Sequence, residues 1–409
     1  MRILAVGLST RAIAESAFRA GRPLLTLDLF GDLDQRRLGE NLSLRRDLGL
    51  SWTPQAVLRA AGMIDYEGLV YTSNLENQPR LVTRLAAGRR LLGNPAEVLW
   101  AARDWGELRR VCREEAILHP VTLLPGEEVP TKTGERYLVK PVRSGGGRRI
   151  RVWRGEPLRP GWLLQKKIPG IAASVSFVAD GRRSVVLGLT EQLLGRREFG
   201  ARGFQWCGNV FPCPLPQPAS AGVYAEIRRM ANRLTSRLGL QGVNGLDLVL
   251  APFQGRLAPF LIEINPRFSA SVELVERALR MSAFTAHERA FARELPEYFP
   301  APGAGAYLAK AVVFARTCVR VPWTEGWLRN GCRDVPHPGE KLEPGQPICT
   351  VFAQGSSREE CVAGLVSAAD WVYADLEPRS ELLTEDYVEQ AASAHYRSYA
   401  RAGGRPAQG

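Results

Sequence analysis

From Phe260 to Ser271 the chain reads FLIEINPRFSAS. The opening is apolar, as a buried strand would be, and it carries Glu263 and Asn265 two residues apart. Residues i and i+2 of a strand share a face, so this carboxylate and this amide oxygen project together. Pro266 then ends the strand and Arg267 follows at once. A preceding strand, GLDLVL, contains Asp247. If the two strands pair, Asp247 lies beside Glu263 and Asn265. Two carboxylates and an amide on one buried face are costly without a neutralising cation. Hard oxygen donors of this kind suit Mg²⁺, completed by phosphate and water. Arg267 could reach the same phosphates. The competing reading is a buried carboxylate paired with an arginine.

Two further stretches fit a phosphate site. In LVKPVRSGGG, Lys140 ends an apolar strand, so its ammonium is held by a rigid element. Ser144, Gly145, Gly146 and Gly147 follow, and such a loop can bring backbone N–H groups close to a phosphate. The lysine precedes the glycines and no G-K-[ST] follows, so this is not a Walker A loop. Alone, a glycine loop is a tight turn. With a strand lysine before it and an acidic hairpin after it, the phosphate reading is stronger. In LLQKKIPG (163–170) a strand runs into a short linker whose backbone could meet an adenine edge, with Gln165 adding a side-chain contact.

These groups need a scaffold. RILAVGL (2–8), PLLTLDLF (23–30) and EGLVYTS (67–73) read as strands, with helical text in STRAIAESAFRAG between the first two. Strand, helix, strand at that spacing predicts a parallel α/β unit. Its ligand crevice would lie at the carboxyl ends of the strands, near Ser9, Thr10, Asp28 and Asn74 to Asn77, although capping and turn chemistry also suits those residues. A second unit starts near residue 95. There, 136–153 reads as strand, glycine loop, strand, and 162–194 reads as successive antiparallel strands. Residues 225–240 read as an amphipathic helix, followed by the acidic hairpin. Beyond about 300 a small β-rich unit is expected, then a helix over 357–373 and a disordered tail from Gly403. The expected divisions are 1–94, 95–300 and 301–400.

At 409 residues the chain is too long for one ordinary core. No run of about 18 apolar residues exists, so no membrane helix is expected. The N-terminus lacks the cleavage site of a signal peptide. Seven scattered cysteines form no CxxC pair and no zinc spacing, which points to a reducing cytoplasm. The net charge of +12 comes with no nucleic-acid-binding motif, so nucleic acid is not the expected partner. Arg143, Arg148, Arg149 and Arg151 could attract an acidic substrate, but read more simply as a solvated face. In FGARGFQWCGNVFP (199–212), Arg202, Gln205 and Trp206 are candidates for an acceptor pocket.

Taken in order, the strand lysine with its glycine loop, Q-x-x-I-P-G, the strand aspartate and E-I-N-P-R resemble the ATP-grasp superfamily of carboxylate–amine and carboxylate–thiol ligases. The first α/β unit resembles the pre-ATP-grasp domain. GEKLEPGQPICTVFAQG resembles the small β subdomain of carboxylase-like and purine-pathway members. The resemblance spans nearly the whole chain. It implies an α/β and α+β protein with ATP and Mg²⁺ (Mn²⁺ as a substitute) between two lobes. It also implies small-molecule carboxylate and amine substrates, and a homodimer, since similar proteins are commonly dimers. On this resemblance Lys140 contacts the α/β-phosphates and residues 144–147 close over them. Gln165, Lys166 and Ile168 line the adenine pocket. Glu263, Asn265 and Asp247 hold the metal, and Arg267 stabilises the phosphoryl group and the acyl phosphate. Bicarbonate or formate in place of the carboxylate is an alternative within the same fold, and a non-catalytic nucleotide- or nucleic-acid-binding protein is a third.

The chain departs from that pattern in places. A second nucleotide lysine is absent near RDWGEL, where Arg103 could substitute. Lys166 stands where an acid is common, and no ribose-binding acid is evident near Ala172 and Ala173. The short motifs VYTSNLENQP, LLGNP and NPRFSAS resemble archaeal-type ligases associated with methanofuran-like cofactors, including the tyramine–glutamate ligase type.

Overall fold

The computed structural model describes residues 1–129, 135–216, 219–297 and 306–377. The first unit is a parallel sheet of β1 (Ile3–Val6), β2 (Leu25–Asp28), β3 (Asn41–Ser43), β4 (Gly68–Tyr71) and β5 (Arg90–Leu91), in the order β3-β2-β1-β4-β5. Every residue of β1, β2 and β4 is buried, as expected when helices cover both faces of a parallel sheet. The helix Arg11–Arg19 lays Ile13, Ala14 and Ala17 into the core. The helix Pro54–Ala61 starts with Thr53 accepting from the Ala56 N–H and proline in its first turn.

The second unit has two lobes. A four-stranded sheet orders β6 (Thr122–Leu123), β9 (Trp162–Lys166), β7 (Tyr137–Pro141) and β8 (Arg151–Val152) as β6-β9-β7-β8. The large sheet contains β10 (Ile171–Asp180), β11 (Ser184–Leu194), β12 (Trp206–Phe211), β13 (Gln241–Phe253) and β14 (Arg256–Asn265). Residues 162–194, expected as successive antiparallel strands, divide between two sheets. β10 and β11 do pair antiparallel, but β9 pairs with β6 and β7 in the other sheet. Residues 167–170, containing Pro169-Gly170, carry the chain from one lobe to the other. Apolar text alone cannot show which sheet a strand joins. The long helix Ala219–Leu238 begins six residues before the expected start and packs Ile227, Ala231 and Leu234 into the core of the large sheet.

The third segment adds to that same sheet. β15 (Tyr307–Phe314) pairs with β12, the two-stranded ribbon β16 (Val319–Arg320) and β17 (Lys341–Leu342) stands apart, and β18 (Pro347–Gly355) forms the far edge. The order is β14-β13-β10-β11-β12-β15-β18. One apolar cluster accordingly joins Leu193, Phe199 and Val210 to Val313, Trp327 and Leu365. The division expected at residue 300 therefore does not interrupt the sheet. The helix Arg358–Leu376 closes the described chain, so the tail from Gly403 lies outside the described residues. Another cluster joins Ile3, Ala5 and Ile13 to Val178, Phe268 and Val272, seating the first unit on the large sheet. No described helix is long and apolar enough to cross a membrane, and none of the seven cysteines is in a disulfide.

Candidate active site between the lobes

The β13–β14 register sets Asp247 opposite Glu263 and Gly245 opposite Asn265, with a bulge after Asp247. The three polar side chains predicted to share a face do so. Asp247 Oδ1 accepts from Ser174 Oγ (2.7 Å) and Gln192 Nε2 (2.9 Å), and its Oδ2 accepts from Asn265 Nδ2 (3.0 Å). Ser174 stands opposite Asp247 on β10. The sequence reading named neither Ser174 nor Gln192, because only cross-strand register brings them together. Burial, then the neighbouring Glu263 carboxylate, pushes Asp247 up to about 7. Burial would also raise Glu263, but Arg103 and Lys140 outweigh it and hold that carboxyl below its ordinary range. Of the pair, Asp247 is therefore the carboxyl that takes up a proton first as pH falls. The Glu263 side chain remains 19% exposed, enough to meet a ligand.

Lys140 arrives from the small lobe. It is buried, donates to Gln165 Oε1 at 3.0 Å, and lies 5.5 Å from the Trp105 ring centroid. Burial lowers its pKa, while Glu263 and Asp247 pull it back up, so the ammonium faces the acidic hairpin. The Gln165 side chain is thus held by Lys140 and by Thr122, to which its Nε2 donates at 3.2 Å. Lys166 pairs with Glu135, and Ile168 is half-buried on the segment between the lobes.

Arg103 does more than the sequence offered for it. Its guanidinium donates to the carbonyls of Ile264 and Ser144, both at 3.2 Å, and stands 3.7 Å from Glu263 Oε2. One side chain therefore ties the glycine loop to β14. Beyond Ser144 and Gly145, Gly146 and Gly147 have φ of 64° and 68°. A Cβ on Gly147 would lie 1.9 Å from the Phe204 carbonyl oxygen, and Trp206 N–H donates to the Gly146 carbonyl at 3.0 Å. The loop is seated on the 204–206 segment, where Trp206 Nε1 also donates to Asn209 Oδ1 at 3.0 Å. The basic run beside the loop is a solvated face: Arg143, Arg148, Arg149 and Arg151 are all exposed, and Arg151 pairs with Glu156.

Arg267 sits at the end of β14. Its Nε is 2.9 Å from Glu76 Oε1, and its Nη2 donates to Asn265 Oδ1 at 3.4 Å. The first unit holds the proline turn: Tyr71 Oη donates to the Asn94 carbonyl at 2.8 Å, and Asn94 Nδ2 donates to the Pro266 carbonyl at 3.0 Å. The motifs VYTSNLENQP and LLGNP supply these contacts. Other crevice candidates are engaged locally. Thr10 Oγ1 donates to Asp28 Oδ2 at 2.9 Å, Gly31 N–H donates to Asp28 Oδ1 at 2.9 Å, and Ser9 Oγ donates to Asp334 at 3.4 Å.

Among the described residues no group of three His, Cys, Asp or Glu could hold a metal alone. Asp247, Glu263 and the Asn265 amide would instead hold a cation only as a partial set, with phosphate oxygens and water completing it. That is the usual way Mg²⁺ is held at phosphate sites.

Residues 110–271 match the family model of the ATP-grasp domain. The chain carries an ATP-grasp domain, with an N-terminal parallel sheet before it. It is 25% identical over 285 residues to the large chain of carbamoyl phosphate synthase from Rubrobacter xylanophilus, covering 64% of this chain and 26% of that one. The chain thus spans about a quarter of that relative's length. The biotin carboxylase domain of 2-oxoglutarate carboxylase from Hydrogenobacter thermophilus, a dimer in complex with MgADP, ADP and bicarbonate, superposes with a TM-score of 0.65 at 16% identity, over 89% of each chain. The L-amino acid ligase from Bacillus licheniformis gives 0.63 at 15% identity, over 90% of this chain and 97% of that one.

Proposed function

We propose that the chain is an ATP-dependent, ADP-forming ligase that activates a carboxylate as an acyl phosphate for attack by an amine. One observation carries this reading: the Asp247–Glu263–Asn265 face is met by Lys140 from the opposite lobe and by Arg267 at its end. Both reactants are anionic when a carboxylate attacks the γ-phosphate, so fixed positive charge must offset their repulsion. Lys140 would hold the α/β-phosphates, the 144–147 loop would cover them, and Gln165, Lys166 and Ile168 would flank the adenine. Mg²⁺ or Mn²⁺ at Asp247, Glu263 and Asn265 would neutralise phosphate charge. The carboxylate oxygen bonds to the γ-phosphorus while ADP leaves with the electron pair of the broken P–O bond. The amine nitrogen then bonds to the acyl carbon, phosphate leaves with the C–O pair, and the amine gives up its proton. Arg267 would stabilise the charge developing in both steps.

Glutamate with a tyramine-like amine is the substrate pair supported by the short motifs around Tyr71 and Asn94. Bicarbonate is the second reading, supported by the fold shared with a bicarbonate-bound carboxylase domain and by the strands that extend the large sheet. The dimeric state of that neighbour supports a homodimer, and seven unbridged thiols support a cytoplasmic setting. The test is ADP release from Mg-ATP across a matrix of carboxylates and amines, with bicarbonate included. ADP formed only with a matched carboxylate–amine pair supports the ligase, and ADP with bicarbonate alone replaces it with the carboxylase-like reading. ATP binding without ADP release from any combination contradicts both.

A further inference from the structure

Resting on the ligase reading, we infer that Glu76 and Asn77 form the subsite for the ammonium group of the amine substrate. Three observations converge there. The first is topological. In the order β3-β2-β1-β4-β5 the direction of winding reverses between β1 and β4, and open α/β sheets bind ligands outside the carboxyl ends of their strands at such a reversal. Glu76 and Asn77 lie in the short helical turn Leu75–Asn77, just beyond β4.

The second is a pair of unsatisfied acceptors. Glu76 is 1% exposed; its Oε1 is 2.9 Å from Arg267 Nε, while its Oε2 is buried without a hydrogen-bond partner. Asn77 Oδ1 is likewise buried and unpartnered. A buried acceptor left unpaired is destabilising, more so when charged, so each needs an explanation. Neighbouring oxygens on the same turn do have partners: Asn74 Oδ1 accepts from Asn77 Nδ2 at 3.4 Å. A carboxylate oxygen and an amide oxygen on adjacent residues call for a ligand that brings several N–H donors and a positive charge. An ammonium group does so; a carboxylate or phosphate would not.

The third is position. Arg267 joins this turn to the acidic hairpin, since its Nη2 reaches Asn265 Oδ1 at 3.4 Å. An amine held on Glu76 therefore lies on the far side of Arg267 from the metal-binding face, beside the group assigned to the acyl phosphate. Both oxygens are buried, so binding of the amine includes an outward shift of the 73–78 turn.

The test is calorimetric titration of the full chain, loaded with Mg²⁺ and β,γ-imido-ATP at pH 7.5. The probes are methylammonium, ethanolamine and tyramine, with ethylene glycol as the neutral counterpart of ethanolamine. At least one amine binds saturably and ethylene glycol does not. Glu76→Gln weakens the amine at least tenfold and Asn77→Ala about threefold. If Glu76→Gln fails to fold by circular dichroism, Asn77→Ala decides. No saturable amine binding by the wild-type chain, or wild-type affinity in the deciding variant, overturns the subsite. The ligase reading is judged separately by ADP release, so either can fail while the other stands.

Discussion

At the scale of single residues, Asp247 and Glu263 are the most constrained groups in the site. Two carboxylates face each other across a hairpin, and burial with the neighbouring charge raises Asp247 to about 7 while Glu263 is held low. Glu263→Gln keeps the shape of the side chain and removes that charge. Turnover should fall at least about tenfold, the scale of losing a group that supports a bound metal, with circular dichroism unchanged; full activity would remove Glu263 from the metal site. The Asp247 proton predicts a pH effect of definite sign. Below about 7 the cation must displace that proton. Mg²⁺ affinity, titrated on protein loaded with an ATP analogue, should therefore rise about tenfold from pH 6 to pH 8. A flat profile would contradict the raised carboxyl. Glu263, Asn265, Lys140 and the glycines were legible in the sequence because each lies within a few residues of the others in its motif and strand period fixes their faces. Arg103 and the turn that carries Glu76 were candidates too, but what each of them meets was not legible. Arg103 meets the Ile264 carbonyl 161 residues away, and Glu76 meets Arg267 from another unit of the chain. No local pattern records such a meeting.

At the scale of elements, the glycine loop and its seat decide how the nucleotide is covered. Gly145 and Gly146 have open space where a Cβ would be, whereas Gly147 does not. Gly147→Ala also places a side chain at φ of 68°, which L-residues avoid. This variant should lift the loop from Phe204 and raise the Michaelis constant for ATP about tenfold, with little change in thermal midpoint because the loop is exposed. An unchanged constant would mean that loop seating is irrelevant to ATP. The sequence showed a glycine loop but not which glycine is obligatory, since the clashing carbonyl belongs to the 204–206 segment. The same gap explains β9. Its residues read correctly as a strand, yet its partners were set by Thr122 and Leu138, which no alternation pattern reveals.

At the scale of the molecule, the first unit is fastened to the large sheet by buried groups, and His287 is one of them. Its Nδ1 accepts from Val243 N–H at 2.8 Å and its Nε2 lies 3.0 Å from the Leu92 carbonyl. Burial holds its pKa down to about 4. The unfolded chain takes up this proton near 6.5 and the folded chain does not until near 4. The His287 contribution is therefore complete above 6.5 and lost as pH falls through that window, on the order of 3 kcal/mol in all. The urea midpoint should drop between pH 7 and pH 4.5, and His287→Gln should flatten the drop; an equal slope in the variant would exclude His287. Much of this architecture was readable as alternating strand and helix. The fusion of the third segment with the large sheet was not, because β15 and β18 pair with partners chosen only when the whole chain is assembled. The most direct test of the central claim follows one oxygen atom. With a substrate carboxylate labelled with ¹⁸O, acyl phosphate chemistry delivers one labelled oxygen to inorganic phosphate alongside ADP, read by ³¹P NMR. Unlabelled phosphate, or AMP and pyrophosphate in place of ADP, would contradict carboxylate activation by phosphoryl transfer.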